Sequence, residues 1–90
     1  MNITDIKRKV LYRSLHRGCK ELDIILGNFS KASLEDLDFE ETIQYEALLD
    51  LPDNDIYDWV TEKKEVPEQY KSTLLDRVIE FQRNFTGRDA

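Results

Sequence analysis

The sequence has few of the residues that cross-links, metal sites and tight turns require. Its 90 residues include one cysteine, one histidine, three glycines and two prolines. A single cysteine excludes an internal disulfide, and with only one histidine beside it a zinc or other transition-metal centre is not expected. An all-β chain needs more turn residues than this. These shortages exclude a disulfide scaffold and argue against a metalloprotein and a β-sandwich.

Long apolar segments are missing as well. No apolar run approaches the roughly 20 residues that a membrane-spanning helix requires. The N-terminal residues do not have the layout of a signal peptide. We therefore expect no membrane insertion and a cytoplasmic location, in which Cys19 stays a reduced thiol.

Catalytic groups are also scarce. His16 is the one conventional base, and no spacing indicates a Ser-His-Asp or Cys-His arrangement. The helical pattern places Cys19 on the core side, which favours an inert buried thiol. The segment 53–58 has several acids but lacks the glycine of a calcium loop, so helix capping explains it better. No catalytic residue and no metal ligand is predicted, and we do not expect an enzyme.

What the chain does contain is typical of one helical domain. Hydrophobic residues make up 40% and charged residues 36% of a sequence rich in helix formers. A chain of this length builds a single core. The prediction is an all-α, compact five-helix bundle over residues 1–90, with a frayed tail at about 86–90.

Apolar periodicity and capping residues predict where the helices lie. The first helix begins at an Asn2 or Thr4 cap and ends near Arg17. The others cover about 19–30, 39–49, 54–62 and 67–84, and a polar linker covers 31–37. The third helix starts with a capping box formed by Asp38 and Glu41.

Three details of these helices concern the core and the surface. The third helix is apolar on two sides, which predicts a sandwiched, central position. One side carries Phe39, Ile43 and Ala47, and the other carries Tyr45, Leu48 and Leu49. Trp59 is a predicted core contact, whereas the helical projection directs Ile24 outward.

Charge is distributed unevenly along the chain. Residues 1–20 carry a net charge of +5 and the remainder carries −11. Lys9, Tyr12, Arg13 and His16 form a basic, partly aromatic stripe on the first helix. This stripe suits an acidic protein surface, although an ordinary solvated helix face explains it equally well. The acidic remainder disfavours nucleic-acid binding.

A charged turn, His16–Asp23, joins the first two helices. Gly18 follows a basic helix end, which is a usual signal for helix termination. Arg17 and Glu21 form an i, i+4 pair in the weaker order, so a stabilising surface ion pair explains the pair less well than display to a partner does. Arg17 and Glu21 are therefore the predicted partner-binding residues of this turn.

The turn also carries a family resemblance. The segment Arg17–Glu21 matches the motif Arg-Gly-x-x-Glu of the small succinate dehydrogenase assembly factors, which promote covalent attachment of FAD to the flavoprotein subunit. The chain resembles that family over nearly its whole length and departs from it at His16, where many members have arginine, and at Cys19, where methionine is common. Further matching residues are Leu22, Asp23, Phe29, Leu48, Leu49, Asp53–Asp55, Trp59, Val78, Ile79, Arg83 and Asn84.

The resemblance implies a protein that binds the flavoprotein subunit of succinate dehydrogenase or fumarate reductase, without holding FAD stably itself. It implies that Arg17 and Glu21 contact that subunit and that Gly18 permits close backbone approach. Arg13, His16 and Lys20 are added from the charge pattern, and a monomer is expected when the protein is free. The alternatives are a general helical interaction module, such as an antitoxin-like regulator, and more remotely a small hydrolase.

Overall fold

The computed structural model describes residues 2–88, with side chains for residues 2–85. This part of the chain contains five α-helices, two short 3-10 helices and no strand. The prediction of an all-α five-helix fold is confirmed. The α-helices are α1 (Ile3–Leu15), α2 (Lys20–Ser33), α3 (Phe39–Leu48), α4 (Asp53–Val60) and α5 (Thr73–Arg88), and the 3-10 helices are Leu34–Asp36 and Glu68–Tyr70.

The starts of α1 and α3 follow from capping side chains. Asn2 is the N-cap of α1, and its Oδ1 accepts a hydrogen bond from the amide of Asp5 at 2.9 Å. The predicted capping box of α3 is present, because Asp38 accepts from the amide of Glu41 at 2.8 Å and Glu41 accepts from that of Asp38 at 3.4 Å. Such caps satisfy amides that have no partner inside the helix.

Two predicted segments are wrong. The polar linker over 31–37 is instead the end of α2 and a 3-10 helix, and both Leu34 and Leu37 are buried in the core. The last helix begins at Thr73 and not near Pro67, because Lys71 is extended and the Ser72 hydroxyl accepts from the amide of Leu75 at 3.0 Å. Residues 86–88 belong to α5, and the last two residues of the predicted frayed tail lie outside the described residues.

The sandwiched position predicted for α3 is also wrong. Tyr45, Leu48 and Leu49 are buried as predicted, but Phe39 is 56% exposed and Ile43 is exposed as well. Helix α3 packs on α1 and α5, and its side with Phe39 and Ile43 is exposed. The core prediction for Trp59 is confirmed, since that side chain is buried and contacts the ring of Tyr70 at a centroid distance of 5.3 Å.

A buried hydrogen-bonded chain of hydroxyls crosses the core between α1, α2 and α3. The hydroxyl of Ser30 lies 2.9 Å from that of Ser14 and 2.8 Å from that of Tyr45. Ser14 lies within donating distance of the carbonyl of Leu11 at 2.8 Å, and Tyr45 lies 3.3 Å from that of Leu26, so three hydroxyl protons are shared among four contacts. Each buried polar atom therefore has a partner, which avoids the cost of an unpaired buried hydroxyl.

We expect stability to fall at high pH because of Tyr45. Burial raises the pKa of Tyr45 from 10.0 to about 12. Between these values the unfolded chain loses the phenolic proton while the folded chain keeps it, so the free energy of unfolding decreases by up to about 1.4 kcal/mol per pH unit. Urea unfolding from pH 8 to pH 11.5 measures this slope. Tyr45→Phe should flatten it, and equal slopes in both proteins would contradict the assignment.

Candidate functional site

The corner between α1 and α2 has a backbone conformation that requires a glycine. Helix α1 ends at Leu15, two residues before the predicted end, and His16 forms its C-cap. Gly18 has φ = +89°, a region that residues with a side chain rarely adopt. A Cβ atom placed on Gly18 would have nothing within 4 Å. Backbone strain therefore selects glycine here, and the surface above it is open to an approaching molecule.

Asp23, near the start of α2, stabilises this corner through a hydrogen bond. Its Oδ1 accepts a hydrogen bond from the backbone amide of Arg17 at 2.7 Å. A charged acceptor makes this bond stronger than one between neutral groups. The bond ties the last residue before Gly18 to α2, so the corner is fixed and not a loose loop.

The side chain of Arg17 is directed inward and is only 11% exposed. Its Nε donates to Oδ1 of Asp53 at 2.8 Å, and its Nη2 lies 2.7 Å from the same oxygen. Nη1 donates to the carbonyl of Leu49, and Nη2 donates to that of Leu51 at 2.9 Å. Carbonyls at a helix C-terminus have no partner within the helix, and the planar guanidinium group binds that of Leu49, the C-cap of α3, together with that of Leu51 in the following turn. Arg17 thus joins the α1–α2 corner to the α3–α4 turn.

Arg13 of α1, which lies four residues before Arg17, also binds the α3–α4 turn. Its Nη2 donates to the carbonyl of Leu49 at 3.0 Å and to Oδ1 of Asp50 at 2.6 Å. Further along α1, Lys9 lies 3.7 Å from the carboxylate of Glu46. The basic stripe of α1 therefore faces one acid of α3 and one of the α3–α4 turn, and part of the charge asymmetry is neutralised within the chain.

The other four predicted residues lie on the outer surface of the corner. His16, Gly18, Lys20 and Glu21 are all exposed. The described structure shows one polar contact for the Glu21 carboxylate, with the half-buried thiol of Cys19 at 3.7 Å.

Two exposed side chains extend this surface. The ring of Tyr12 contacts that of His16 at a centroid distance of 4.3 Å, with the two planes tilted by 35°. Ile24, predicted to face outward, is 52% exposed. The corner thus offers an acid, a lysine, an imidazole and an apolar side chain to the surroundings.

The structure separates the six predicted residues into two groups. Within the described residues the ion pair of Arg17 is with Asp53, so the alternative of a surface pair with Glu21 is not formed. Arg13 and Arg17 support the corner from inside, whereas the other four residues surround its exposed side. Contact of either arginine with a partner stays a prediction.

Sequence reasoning missed the acids that support the corner. Asp53 was interpreted as a helix cap, but Pro52 is the N-cap of α4 and makes no side-chain cap bond. The roles of Asp23 and Asp50 were not predicted either. A signal did exist for Asp23, which is the second residue after the matched motif. Contacts of Arg17 with residues more than 30 positions away have no signature in one sequence.

The described residues show neither a metal site nor a membrane-spanning helix. No group of three or more His, Cys, Asp and Glu side chains is placed to hold a metal ion there. Among the helices described, none combines the length and the apolar character needed to cross a membrane.

Comparison with known proteins identifies similar sequences. A family model described as "Flavinator of succinate dehydrogenase" matches residues 8–82. The chain is 32% identical to "FAD assembly factor SdhE" of Acetobacter pasteurianus over 82 residues, which cover 91% of this chain and 75% of the relative.

Mitochondrial proteins are similar as well. The chain is 37% identical to "Succinate dehydrogenase assembly factor 2, mitochondrial" of Dictyostelium discoideum over 76 residues, or 84% of this chain and 54% of the relative. It is 40% identical to the protein of the same name in Danio rerio over 83 residues, or 89% of this chain and 52% of the relative. The chain therefore spans about half the length of these mitochondrial relatives.

Proposed function

The chain belongs to the family described as flavinator of succinate dehydrogenase, and on that premise we propose that it promotes covalent attachment of FAD to the flavoprotein subunit of succinate dehydrogenase or of fumarate reductase. We call this subunit the client. The family match over residues 8–82 supports the proposal, as do the names of relatives, which describe succinate dehydrogenase assembly and FAD assembly. A cytoplasmic location and a monomeric free state remain part of the proposal.

The observation that carries the proposal is the rigid corner with its exposed outer surface. Two sets of contacts fix the corner. The carboxylate of Asp23 accepts a hydrogen bond from the amide of Arg17, and the side chain of Arg17 binds Asp53 and the carbonyl of Leu51. A surface fixed before binding loses little conformational entropy when a partner docks. In this scheme Glu21, Lys20 and His16 contact the client, the open surface at Gly18 admits its backbone, and Arg13 and Arg17 act as positioning residues.

The proposed role requires no reaction by this chain and no stable FAD complex. Attachment chemistry belongs to the client and its flavin, and this chain contributes binding energy. A chain that binds one client conformation more tightly raises the fraction of client in that conformation. Moving a conformation from 1% to 99% of the population takes about a 10⁴-fold preference, or roughly 5.5 kcal/mol.

Reconstitution tests this function. Purified apo-client is mixed with FAD, with and without the chain, and covalent flavin is measured by fluorescence in a denaturing gel. We expect faster attachment with the chain present and co-elution of chain and client in size-exclusion chromatography. Equal attachment rates together with separate elution would contradict the proposal.

A further inference from the structure

Cations without a carboxylate partner collect around α2. Among side chains of residues 2–85, seven lysines and arginines form ion pairs with acids. Five others do not, and four of these lie on α1 or α2, although the whole chain carries a net charge of −6. The five are Lys7, which donates to the carbonyl of Glu35, Lys63, which lies over the ring of Tyr57, and Arg8, Lys20 and Lys31.

Lys31 stands where two clefts meet. One cleft, of about 540 Å³, lies between α1 and the end of α2 and is lined by Lys7, Arg8 and Lys31 together with the acids Glu35 and Asp36. The other, of about 490 Å³, lies between α2 and α5, and none of its lining residues in the described part of the chain is an acid. Its lining residues are Asn28, Lys31, Ala32, Phe81, Asn84 and Phe85.

Two aromatic side chains, Phe81 and Phe85, line the cleft between α2 and α5, and Phe81 packs against the core. Phe85 is 41% exposed and stacks on Phe81 at a centroid distance of 6.1 Å. Phe81 in turn meets the buried ring of Phe29 edge-on at 5.7 Å. The carboxamides of Asn28 and Asn84 line the same cleft and can donate to and accept from a peptide backbone. An exposed aromatic side chain held from behind is a typical binding anchor.

The exposed surface of α2 connects this cleft to the corner. Lys20, Ile24, Asn28 and Lys31 follow one another at helical spacing on this side and line the groove between the two regions. From Lys20 to Lys31 the helix rises about 16 Å. A partner bound at the corner can therefore reach the cleft along one continuous surface.

We propose that the cleft between α2 and α5 is a second docking surface for the client, which receives a segment with an apolar side chain flanked by carboxylates. The apolar side chain lies on Phe85 and Phe81, and the carboxylates pair with Lys31 in this cleft and with Arg8 in the neighbouring cleft between α1 and α2. This inference rests on the proposed function for the identity of the partner. The acidic character of the segment follows from charge complementarity, since within the described residues neither Lys31 nor Arg8 forms an ion pair with an acid, although Glu35 and Asp36 line the neighbouring cleft. The net charge of −6 disfavours a nucleic acid or an anionic membrane as occupant.

Affinity measurements on charge and apolar variants test the second surface. Binding of the full chain to purified client is measured by isothermal titration calorimetry at several salt concentrations. We expect at least tenfold weaker binding for Lys31→Glu and for Phe85→Ala, and near wild-type binding for Lys31→Arg. Lys31→Gln should make affinity less dependent on salt, because one charge contact is lost.

Matched controls come from other parts of the chain. Lys63→Glu makes the same charge change at another cation without a carboxylate partner, and Phe39→Ala removes another exposed aromatic side chain. Both should bind within twofold of wild type, and circular dichroism reports the fold of every variant.

The outcomes distinguish the second surface from the corner. If Lys31→Glu and Phe85→Ala bind like wild type while Glu21→Ala does not, the second surface is wrong and the proposed function stands. If the wild-type chain does not bind the client, both proposals fail. Lys31-dependent binding of RNA or anionic vesicles, with client binding unchanged by Lys31→Glu, would also overturn the assignment of a protein occupant.

Discussion

Replacing Glu21 with alanine is expected to leave the bundle folded and to abolish stimulation of flavin attachment. The side chain is exposed, and the one polar contact described for its carboxylate is the thiol at 3.7 Å. Surface substitutions of this kind usually change stability by less than about 0.5 kcal/mol. If the client needs this carboxylate, the loss appears only in function. Circular dichroism and thermal unfolding measure the fold, and in-gel flavin fluorescence of the client measures attachment.

Variants at Gly18 provide the matched comparison. Gly18→Arg is expected to abolish stimulation too, because it places a long side chain on the open surface and forces φ = +89° on a residue with a Cβ. The conformational strain costs about 1–2 kcal/mol. Gly18→Asn should cost less, since asparagine tolerates positive φ better. If the client shows normal flavin fluorescence with both Glu21→Ala and Gly18→Arg, the corner is not required for flavin attachment.

Arg17→Ala is expected to lower the free energy of unfolding by about 2–4 kcal/mol, because it leaves Asp53 and two carbonyls without their donor. The carboxylate of Asp53 is partly exposed and can be hydrated, which keeps the loss below that of a fully buried pair. Urea unfolding measures the change. Flavin attachment should fall as well, since the corner loses its connection to the α3–α4 turn.

Two further variants separate support from direct contact. Arg17→Lys keeps the charge but cannot reach all three acceptors with one ammonium group, so an intermediate stability is expected. In a double-mutant cycle, Arg17→Ala and Asp53→Asn should be non-additive because their side chains are paired. If Arg17→Ala unfolds like wild type yet fails in flavin attachment, Arg17 contacts the client directly, as the sequence predicted, and the supporting role is wrong.

The comparison of α1 with α3 explains why the predicted site was only partly visible in the sequence. Periodicity placed Lys9, Arg13 and His16 on one side of a helix, but it cannot show what faces that side. In the fold, Lys9 faces Glu46 of α3 and Arg13 faces Asp50 of the α3–α4 turn, whereas His16 stays exposed. The local pattern therefore predicted a binding surface along the basic stripe, although two of its cations, Lys9 and Arg13, pair with acids of the same chain.

The same reasoning applies to errors in the fold. Capping signals are local, so the Asp38–Glu41 box and the Asn2 cap could be predicted correctly. The start of α5 and the exposed side of α3 depend on packing between distant segments, and propensity alone placed both wrongly. Proline at position 67 suggested a helix start, yet the chain forms a short 3-10 helix there and Tyr70 packs on Trp59 instead.

The sequence by itself determined the helical class, the glycine corner and the family motif, because composition, periodicity and short-range spacing are properties of neighbouring residues. Only the tertiary structure decided which charges of the corner face inward and which face outward. That choice depends on where the α3–α4 turn lies, since its carbonyls and Asp53 are the acceptors that bind Arg17 and leave Glu21 exposed.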